Sequence, residues 1–385
     1  MTTADSLTRL REKLARIQPP PGLRPAASAS PRGEAHWHHD FHWHHYHGNV
    51  AVDAIGQADG SPCGVFPPPQ RWAFLDTETT GISGGTGTYA FLIGIGVLVG
   101  DTFRIHQFFL RDFHEEPDQL AAVDELLQGF DVLVTYNGKS FDGPRLDTRY
   151  RLVRREPPHE RLLHFDLLHS ARRIWKLRMS SCRLVELESA ILGFQRQDDV
   201  PGYLIPPLYF DYLRYGMLRR LDPVFLHNRL DILSLACLTS VVLAALGDPA
   251  RAPLTHGADL YSLARWVSRQ GRSEAALDLL RRALRCGLPP DVESQARWEM
   301  AAVHKRMRDY DAALPLWREL GTADAFEEIA KYYEHRAGNV EAAAEAAREA
   351  LRLSPDDRRQ RRVDRLERKT SRRVPQPLTN ADQYR

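Results

Sequence analysis

The sequence predicts an α/β domain with a mixed β-sheet flanked by helices, followed by an all-α domain. Between residues 69 and 247, apolar strand-like runs alternate with helical segments, and after Pro253 only helical patterns remain. The length of 385 residues is sufficient for two or three domains. We therefore divide the chain into residues 1–68, 69–247, 254–354 and 355–385.

The α/β domain opens with three strand-like runs that form a meander. RWAFLDTE and AFLIGIGVLVG are joined by the glycine-rich turn SGGTGT, and TFRIHQFFL follows. DVLVTY is a short apolar run of the kind buried in a sheet, and helical segments continue from it to residue 247. The letters from Gly85 to Ala90 match a dinucleotide fingerprint, but a strand follows where the fingerprint requires a helix. We therefore expect no nucleotide cofactor.

Residues 1–68 predict a short amphipathic helix followed by a flexible segment rich in Pro, Ala, Ser and Gly. This segment contains HWHHDFHWHHYHG, in which seven of the sixteen histidines lie between His36 and His47. Such a tract could bind a transition metal, or it could be a mobile linker whose aromatic side chains stack on bases or pack on the main body. The pattern leaves these alternatives open.

Residues 254–354 contain three stretches with one template, in which a helix, a short break and a second helix follow each other. Aligning the alanine pairs at Ala275, Ala312 and Ala342 gives spacings of 37 and 30 residues. These bracket the period of roughly 34 residues of tetratricopeptide repeats, whose hairpins bury their apolar faces by stacking. An irregular helical bundle is the alternative. The arginine-rich tail, 355–385, is expected to be a solvated helix or disordered.

Composition favours a cytoplasmic protein without a membrane span. The N-terminal residues are charged and lack the apolar core of a secretory signal, and we expect no membrane-spanning helix. The four cysteines form no Cys-x-x-Cys pair, so neither a disulfide framework nor a structural zinc site is indicated. The net charge of +2 conceals local clusters of basic residues.

The stretch FLDTETTG places Asp76 and Glu78 two residues apart at the end of an apolar strand. Side chains at this spacing point to one face of a strand, and neighbouring carboxylates repel unless a cation or a proton lies between them. Oxygen ligands of this kind suit Mg²⁺ or Mn²⁺. Exposed acids at a strand end are the structural alternative for this pair.

The second element contains a third acid, Asp142, which follows the apolar strand DVLVTY and the turn Asn137–Ser140. It could cap the helix that starts there, or face the Asp76 and Glu78 pair from a strand end, where α/β folds assemble their sites. Asn137 and Lys139 are candidate phosphate or sugar contacts. Asp166 is expected to be a helix cap or a hydrogen-bond acceptor near the site.

The third element is the helical run FLHNRLDILSLACL, in which His227 and Asp231 share one face. A local hydrogen bond is the usual role of such a pair. Together with the other acids, however, it completes a two-metal phosphoryl-transfer site. Its predicted metal ligands are Asp76, Glu78, Asp142 and Asp231, with His227 as the catalytic base that takes a proton from water.

These motifs, in the order DTET, YNGKSFD and HNRLD, resemble those of ribonuclease H-like DEDD exonucleases. YNGKSFDGPRL is similar to the second exonuclease motif of family B polymerase proofreading domains. With HFDLLHSARRIWKLR and the helical repeats, the chain looks like the YprB-like family of bacterial ribonuclease H-like exonucleases. The resemblance implies a ribonuclease H-like sheet and a 3′-to-5′ exonuclease that acts on DNA in DNA repair, with two divalent ions as cofactors.

The chain departs from the wider DEDD pattern at its histidine. Members that use histidine have four residues between it and the last aspartate, whereas members that use tyrosine have three. His227 stands at the tyrosine spacing from Asp231. Helical i, i+4 geometry still places both side chains on one face.

Nucleic acid is the predicted partner, and a basic region lies directly after the second motif. Residues 145–183 contain eleven Lys or Arg residues and four Asp or Glu residues. Backbone phosphates are expected to meet basic side chains there, with an aromatic platform for a single strand, unless this is only a solvated helix face. The predicted nucleic-acid contacts are Thr79, Asn137, Lys139, Arg172, Arg173, Trp175 and Lys176.

Two further functions compete with a DNA exonuclease. A ribonuclease of the same fold would use the same acids on RNA. A non-catalytic scaffold would bind nucleic acid while its repeats recruit a protein partner, such as a helicase that supplies single strands. The presence of all four acids favours an enzyme.

Overall fold

The computed structural model describes residues 35–56, 67–81 and 85–373. The chain divides into two compact units at Pro253 and Leu254. The predicted N-terminal helix and the end of the basic tail lie outside the described residues. The division falls in the short interval that separates the two predicted domains.

The first unit contains a six-stranded mixed sheet. Its strands are β1 (His36–His42), β4 (Trp72–Thr79), β5 (Ala90–Val99), β6 (Thr102–Phe109), β7 (Val132–Thr135) and β8 (Leu163–Asp166), while β2 (Tyr46–His47) and β3 (Val50–Ala51) form a separate hairpin. The order across the sheet is β1-β6-β5-β4-β7-β8. Pairing is antiparallel from β1 to β4 and parallel from β4 through β7 to β8.

Helices cover both faces of this sheet. They are α1 (Glu116–Leu127), α2 (Asp142–Leu152), α3 (Leu167–Trp175), α4 (Leu184–Leu187), α5 (Ile205–Tyr215) and α6 (Asp222–Gly247). Alternate residues of β4 point to opposite faces, so Leu75 joins a core beneath α1 and α2. Asp76 and Glu78 point to the face covered by α6. The predicted mixed sheet with flanking helices is confirmed.

Helix α6 lies against the sheet at two glycines of β5. A Cβ atom at Gly94 would lie 2.2 Å from Asn228 Oδ1, and one at Gly96 would lie 2.6 Å from Ile232 Cγ2. Only a residue without a side chain permits this approach. The glycines of AFLIGIG therefore set the distance between α6 and the sheet face to which Asp76 and Glu78 point.

Helix α6 is also long and apolar enough to cross a membrane by length and composition. From the sequence we expected no membrane-spanning helix. Within residues 218–247, however, 78% of the most apolar window is buried inside the protein. Its apolar residues cover the sheet and its neighbouring helices, so this is the core helix of a folded domain.

The histidine-rich tract does not form a mobile linker over its first seven residues. His36–His42 is strand β1, paired in antiparallel register with β6 at the edge of the sheet. Trp37 packs edge-on against Phe225, and Asp40 pairs with Arg104 at 2.7 Å. These contacts explain why residues 36–42 form a strand, because side chains on both of its faces have partners.

The second unit is all helical over its described residues, as predicted. Its helices are α7 (Gly257–Arg269), α8 (Ser273–Cys286), α9 (Pro290–Arg306), α10 (Tyr310–Leu320), α11 (Ala323–His335), α12 (Val340–Leu353) and α13 (Asp357–Arg373). Two of the three alanine pairs, those at Ala312 and Ala342, follow a residue that caps their helix. Asp309 and Asn339 accept hydrogen bonds from the amides of Ala312 and Ala342 at 3.2 and 3.0 Å.

The basic tail begins as part of this helical unit. Val363 and Leu366 of α13 are buried in its core. Glu334 of α11 is almost fully buried and pairs with Arg365 and Lys369. These partners, Arg365 first, lower the pKa of Glu334 to about 2. The segment predicted as a separate tail therefore packs on the preceding helices at least as far as Lys369.

Candidate active site

The two strand acids lie at the centre of the sheet. Asp76 and Glu78 are at the carboxyl end of β4, between β5 and β7, and pair with Gly94 and Leu92 of β5. Glu78 is 9% exposed. The strand register shifts directly after it, between Glu78 and Thr79. The alternative of exposed strand-end acids does not describe these carboxylates.

Asp142 reaches the site from the neighbouring parallel strand. It is the first residue of α2, and its Oδ1 accepts a hydrogen bond of 2.5 Å from the Thr77 hydroxyl. Phe141 stands at the cap position of α2, with no side-chain cap bond. The carboxylate of Asp142 is therefore tied to β4, and its predicted alternative as a helix cap does not apply.

Asp166 fixes the turn that positions Asp142. Its two carboxylate oxygens accept hydrogen bonds from the backbone amides of Asn137 at 2.8 Å and Lys139 at 3.1 Å. It also caps α3 by accepting from the amide of Leu168 at 3.1 Å. Asn137 adopts a left-handed backbone with φ of 64°. Both predicted roles of Asp166, helix cap and nearby acceptor, are observed.

Helix α6 brings three polar residues onto this sheet face. Asn228, fully buried, donates to Asp76 Oδ2 at 2.9 Å and accepts from Gln107 Nε2 at 2.9 Å. His227 Nε2 lies 4.0 Å from Glu78 Oε1 and 3.6 Å from Asp231 Oδ2. Burying polar side chains is costly unless hydrogen bonds or ion pairs replace their contacts with water. These contacts connect α6 with the end of β4.

One group of side chains has the spacing of a metal site. Ligand atoms of Glu78, His227 and Asp231 all lie within 4.8 Å of one another. Asp76 adjoins the group through Asn228, the neighbour of His227 in the chain, which donates to its carboxylate at 2.9 Å. Burial, followed by the charges of Asp231 and Asp142, raises the pKa of Asp76 well above the usual range. Burial and then Asp76 raise the pKa of Glu78 in the same way. Such mutual repulsion is what a bound cation relieves.

An arginine and an aspartate absent from the sequence prediction complete the site. The buried guanidinium of Arg196 contacts the carboxylates of Glu188, Asp199 and Asp231. His227 Nδ1 lies 2.7 Å from Asp199 Oδ1. Arg196 and Asp199 belong to an irregular segment between helices, where charged residues are normally solvated. Neither periodicity nor motif spacing marks them, so the sequence carries no signal for their role.

Histidine 227 is held with one ring nitrogen toward the other acids. Burial lowers its pKa, but Asp231 and Asp199 outweigh burial and leave the pKa above the usual value. Because Nδ1 donates to Asp199, Nε2 is directed toward Glu78 and Asp231. An orientation of this kind leaves Nε2 available to accept a proton when the ring is neutral.

Some of the predicted nucleic-acid contacts line one groove. Tyr136, Asn137, Arg172 and Lys176 border a groove of about 590 Å³ that begins where β7 ends. Lys139 and Arg173 are also exposed, but they do not line this groove. Thr79 donates its hydroxyl to the carbonyl of Gly81 at 2.8 Å. A basic groove therefore begins beside the turn that carries Asp142.

Trp175 cannot serve as the predicted stacking platform. Its side chain is 0% exposed. Helix α3 turns Leu168, Ala171 and Trp175 to its buried face, whereas Arg172 and Lys176 are exposed. The prediction was wrong because Trp175 was grouped with its basic neighbours and not with Ala171 and Leu168, the apolar residues four and seven positions earlier on the same helical face.

Comparison with known proteins assigns the class of this domain. A family model described as RNase H superfamily matches residues 73–243. The chain thus has a ribonuclease H-like domain whose acids lie at the end of its central strand. Members of this superfamily are usually nucleases and usually use divalent metals.

The chain belongs to the family of the Bacillus subtilis (strain 168) protein named "Uncharacterized protein YprB". The two sequences are 34% identical over 288 residues, which is 72% of this chain and 68% of that protein. The family B DNA polymerase from the archaeon Pyrobaculum calidifontis is 16% identical, with a TM-score of 0.36. That match covers 54% of this chain and 30% of the polymerase chain.

Proposed function

We propose that the chain is a metal-dependent 3′-to-5′ exonuclease that hydrolyses phosphodiester bonds of DNA, in DNA repair and in the cytoplasm. One observation carries the proposal. Ligand atoms of Glu78, His227 and Asp231 lie within 4.8 Å of one another, and hydrogen bonds to Asn228 and Thr77 hold Asp76 and Asp142 at the same end of β4. Superfamily membership supports nuclease chemistry, and the tetratricopeptide-like unit is proposed to recruit a protein partner, such as a helicase.

The donor set fits Mg²⁺ or Mn²⁺, because all four acids offer oxygen ligands. Two such ions, when bound, would supply the activation of the attacking water and the stabilisation of the leaving oxygen. Asp76, Glu78, Asp142 and Asp231 are the residues that would hold them. Asn228 fixes the orientation of Asp76 through its 2.9 Å hydrogen bond.

His227 is the proposed general base. In its neutral form, Nε2 accepts the proton of the attacking water, and the resulting positive charge lies beside Asp199 and Asp231. Arg196 contacts both of these carboxylates and so fixes their positions. The shorter interval between His227 and Asp231 is compatible with this role, since both project from one face of α6.

End-labelled DNA and RNA oligonucleotides incubated with Mg²⁺ or Mn²⁺ test the proposed function. We expect stepwise shortening of single-stranded DNA from the 3′ end, no reaction with EDTA, and no reaction by Asp231→Ala. Strands labelled at the 3′ and at the 5′ end give the polarity. Preference for RNA would assign the ribonuclease alternative. An inactive wild type on every substrate would favour the scaffold.

Replacing Asp199 with asparagine is expected to lower kcat about tenfold or more, because a carboxylate that orients a catalytic histidine fixes its tautomer and stabilises its charged form. The acid limb of the pH–rate profile should also move. Hydrolysis needs neutral His227, so the rate rises as pH passes its pKa, and Asp199 raises that pKa. Without this charge the limb moves to lower pH. The measurement is kcat between pH 5 and pH 9.

Asp118→Asn is the matched control for this variant, because it makes the same chemical change at an exposed position of α1. Its profile should coincide with that of the wild type. A profile of Asp199→Asn with an unmoved acid limb would argue against Asp199 as the residue that orients His227.

Replacing Arg172 and Lys176 together with alanine is expected to weaken DNA binding and flatten its salt dependence. Each phosphate contact contributes about 0.7 to the slope of log K against log salt for single strands, so two lost contacts lower the slope by about 1.4. This slope is measured by fluorescence anisotropy with a labelled oligonucleotide, in Ca²⁺ or EDTA and at several salt concentrations.

Arg251→Ala is the control, since this arginine has a side chain that is 91% exposed and does not line the groove. Its salt slope should equal that of the wild type. If the double variant keeps the wild-type slope, the strand does not follow this groove.

A further inference from the structure

The histidines of β1 are not used by the proposed hydrolysis, and two of them meet a third on β6. His38 lies directly opposite His106 in the antiparallel register. His36, two residues earlier, points to the same face of the sheet. His36 Nε2 and His106 Nδ1 are 3.0 Å apart, and the ring centroids of His38 and His106 are 6.1 Å apart.

Two of these imidazoles, those of His36 and His106, have the separation of ligands around one metal ion. Two nitrogens bound to zinc at about 2.0–2.1 Å in tetrahedral geometry lie about 3.3 Å from each other, with ring centroids about 5 Å apart. The rings of His36 and His106, with centroids 5.2 Å apart, already have this separation. The centroids of His38 and His106 are 6.1 Å apart, about 1 Å more than this, and His38 is exposed, so a change in its side-chain torsion angles can bring its ring closer to His106.

The three histidines lie on the face of the sheet opposite to the acid site. Gln107 points toward Asn228 of α6, on the face of the acids. Its neighbours His106 and Phe108 point to the opposite face, where Phe108 joins the core beneath α1. Burial, followed by the charges of His36 and Arg104, lowers the pKa of His106 to about 4. Its imidazole is therefore neutral at neutral pH and keeps a lone pair for a metal.

We propose that His36, His38 and His106 form a zinc site that is separate from the carboxylate site. Imidazole ligands favour Zn²⁺ and neighbouring transition metals, whereas the four acids favour Mg²⁺ or Mn²⁺. Three protein ligands leave one coordination position for water or another ligand. Because two ligands belong to β1 and one to β6, the ion cross-links the edge strand to the sheet.

The test is a titration of the full chain with Zn²⁺, followed by calorimetry, in excess Mg²⁺ and with Asp76→Asn to weaken the acid site. We expect one Zn²⁺ per chain and a rise in Tm. His106→Gln and, separately, His38→Gln should each weaken binding at least tenfold and reduce the rise in Tm. Co²⁺ should give the visible absorption of a tetrahedral site, and both variants should lose it.

His44→Gln is the matched control, because it removes an exposed histidine of the same tract outside β1. It should bind Zn²⁺ like the parent protein. Unchanged affinity in His38→Gln would overturn the proposal, and so would an equal loss in His44→Gln, which would indicate diffuse binding along the tract. Circular dichroism in EDTA checks that each variant is folded. His38 is exposed, so its variant keeps the test decisive if His106→Gln does not fold.

Discussion

Replacing Asp76 with asparagine is expected to lower the rate of DNA hydrolysis by about 1000-fold or more. The change keeps the size of the side chain but removes its negative charge. The carboxylate of Asp76 accepts a hydrogen bond from Asn228, and the charges of Asp231 and Asp142 raise its pKa. Metal ions contribute several kcal/mol of transition-state stabilisation, and about 4 kcal/mol corresponds to 1000-fold. The measurement is single-turnover cleavage of a 3′-labelled strand.

A second readout separates loss of metal from loss of structure. Mn²⁺ should raise the Tm of the wild type, because it binds the folded acids, and should raise that of Asp76→Asn much less. Asp101→Asn, in the exposed turn between β5 and β6, is the control and should behave as the wild type does. Cleavage by Asp76→Asn within about tenfold of the wild-type rate would contradict its place in the site.

Replacing Gly94 with alanine is expected to damage both stability and activity, although glycine carries no chemistry. The new Cβ would lie 2.2 Å from Asn228 Oδ1 and 2.4 Å from Ile232 Cδ1. Asn228 cannot easily move, because Gln107 and Asp76 both bind its amide. Overpacking of this kind costs about 1–3 kcal/mol of unfolding free energy. A displacement of about 1 Å in a site can lower the rate about 100-fold.

Urea unfolding gives the free energy of unfolding, and cleavage by the folded fraction gives the rate. Gly202→Ala is the control, since a Cβ there would meet no atom within 4 Å and its backbone needs no positive φ. It should change stability by less than about 0.5 kcal/mol. Normal activity in Gly94→Ala would show that the depth of α6 over β4 does not determine the geometry of the acids.

The sequence was most informative where a residue contradicts its local pattern. Asp76 and Glu78 interrupt an apolar strand, and Asp231 interrupts an apolar helix, so their types alone demand an explanation. The structure places these residues together at the end of the central strand. Short apolar runs and glycine-rich turns also predicted the mixed sheet, since strands buried on both faces leave few alternatives.

Other features could not be predicted because tertiary contacts decide them. Arg196 and Asp199 stand in an irregular loop and gain their role only when α6 is brought beside them. Strand β1 has polar side chains at most of its positions, so it gives little hydrophobic signal and depends on its pairing with β6. Trp175 is a different case, because its helical spacing from Leu168 and Ala171 already indicates burial.

The turn between β7 and α2 offers a route to altered substrate preference. Asp166 holds this turn through the backbone amides of Asn137 and Lys139, and its bond to the second amide does not involve the Lys139 side chain. Under the proposed function, substitutions at Lys139, which is exposed, would vary the side chain offered to nucleic acid while Asp142 keeps its position. A library randomised at Lys139 and screened on DNA and RNA would sample specificity without dismantling the acid cluster.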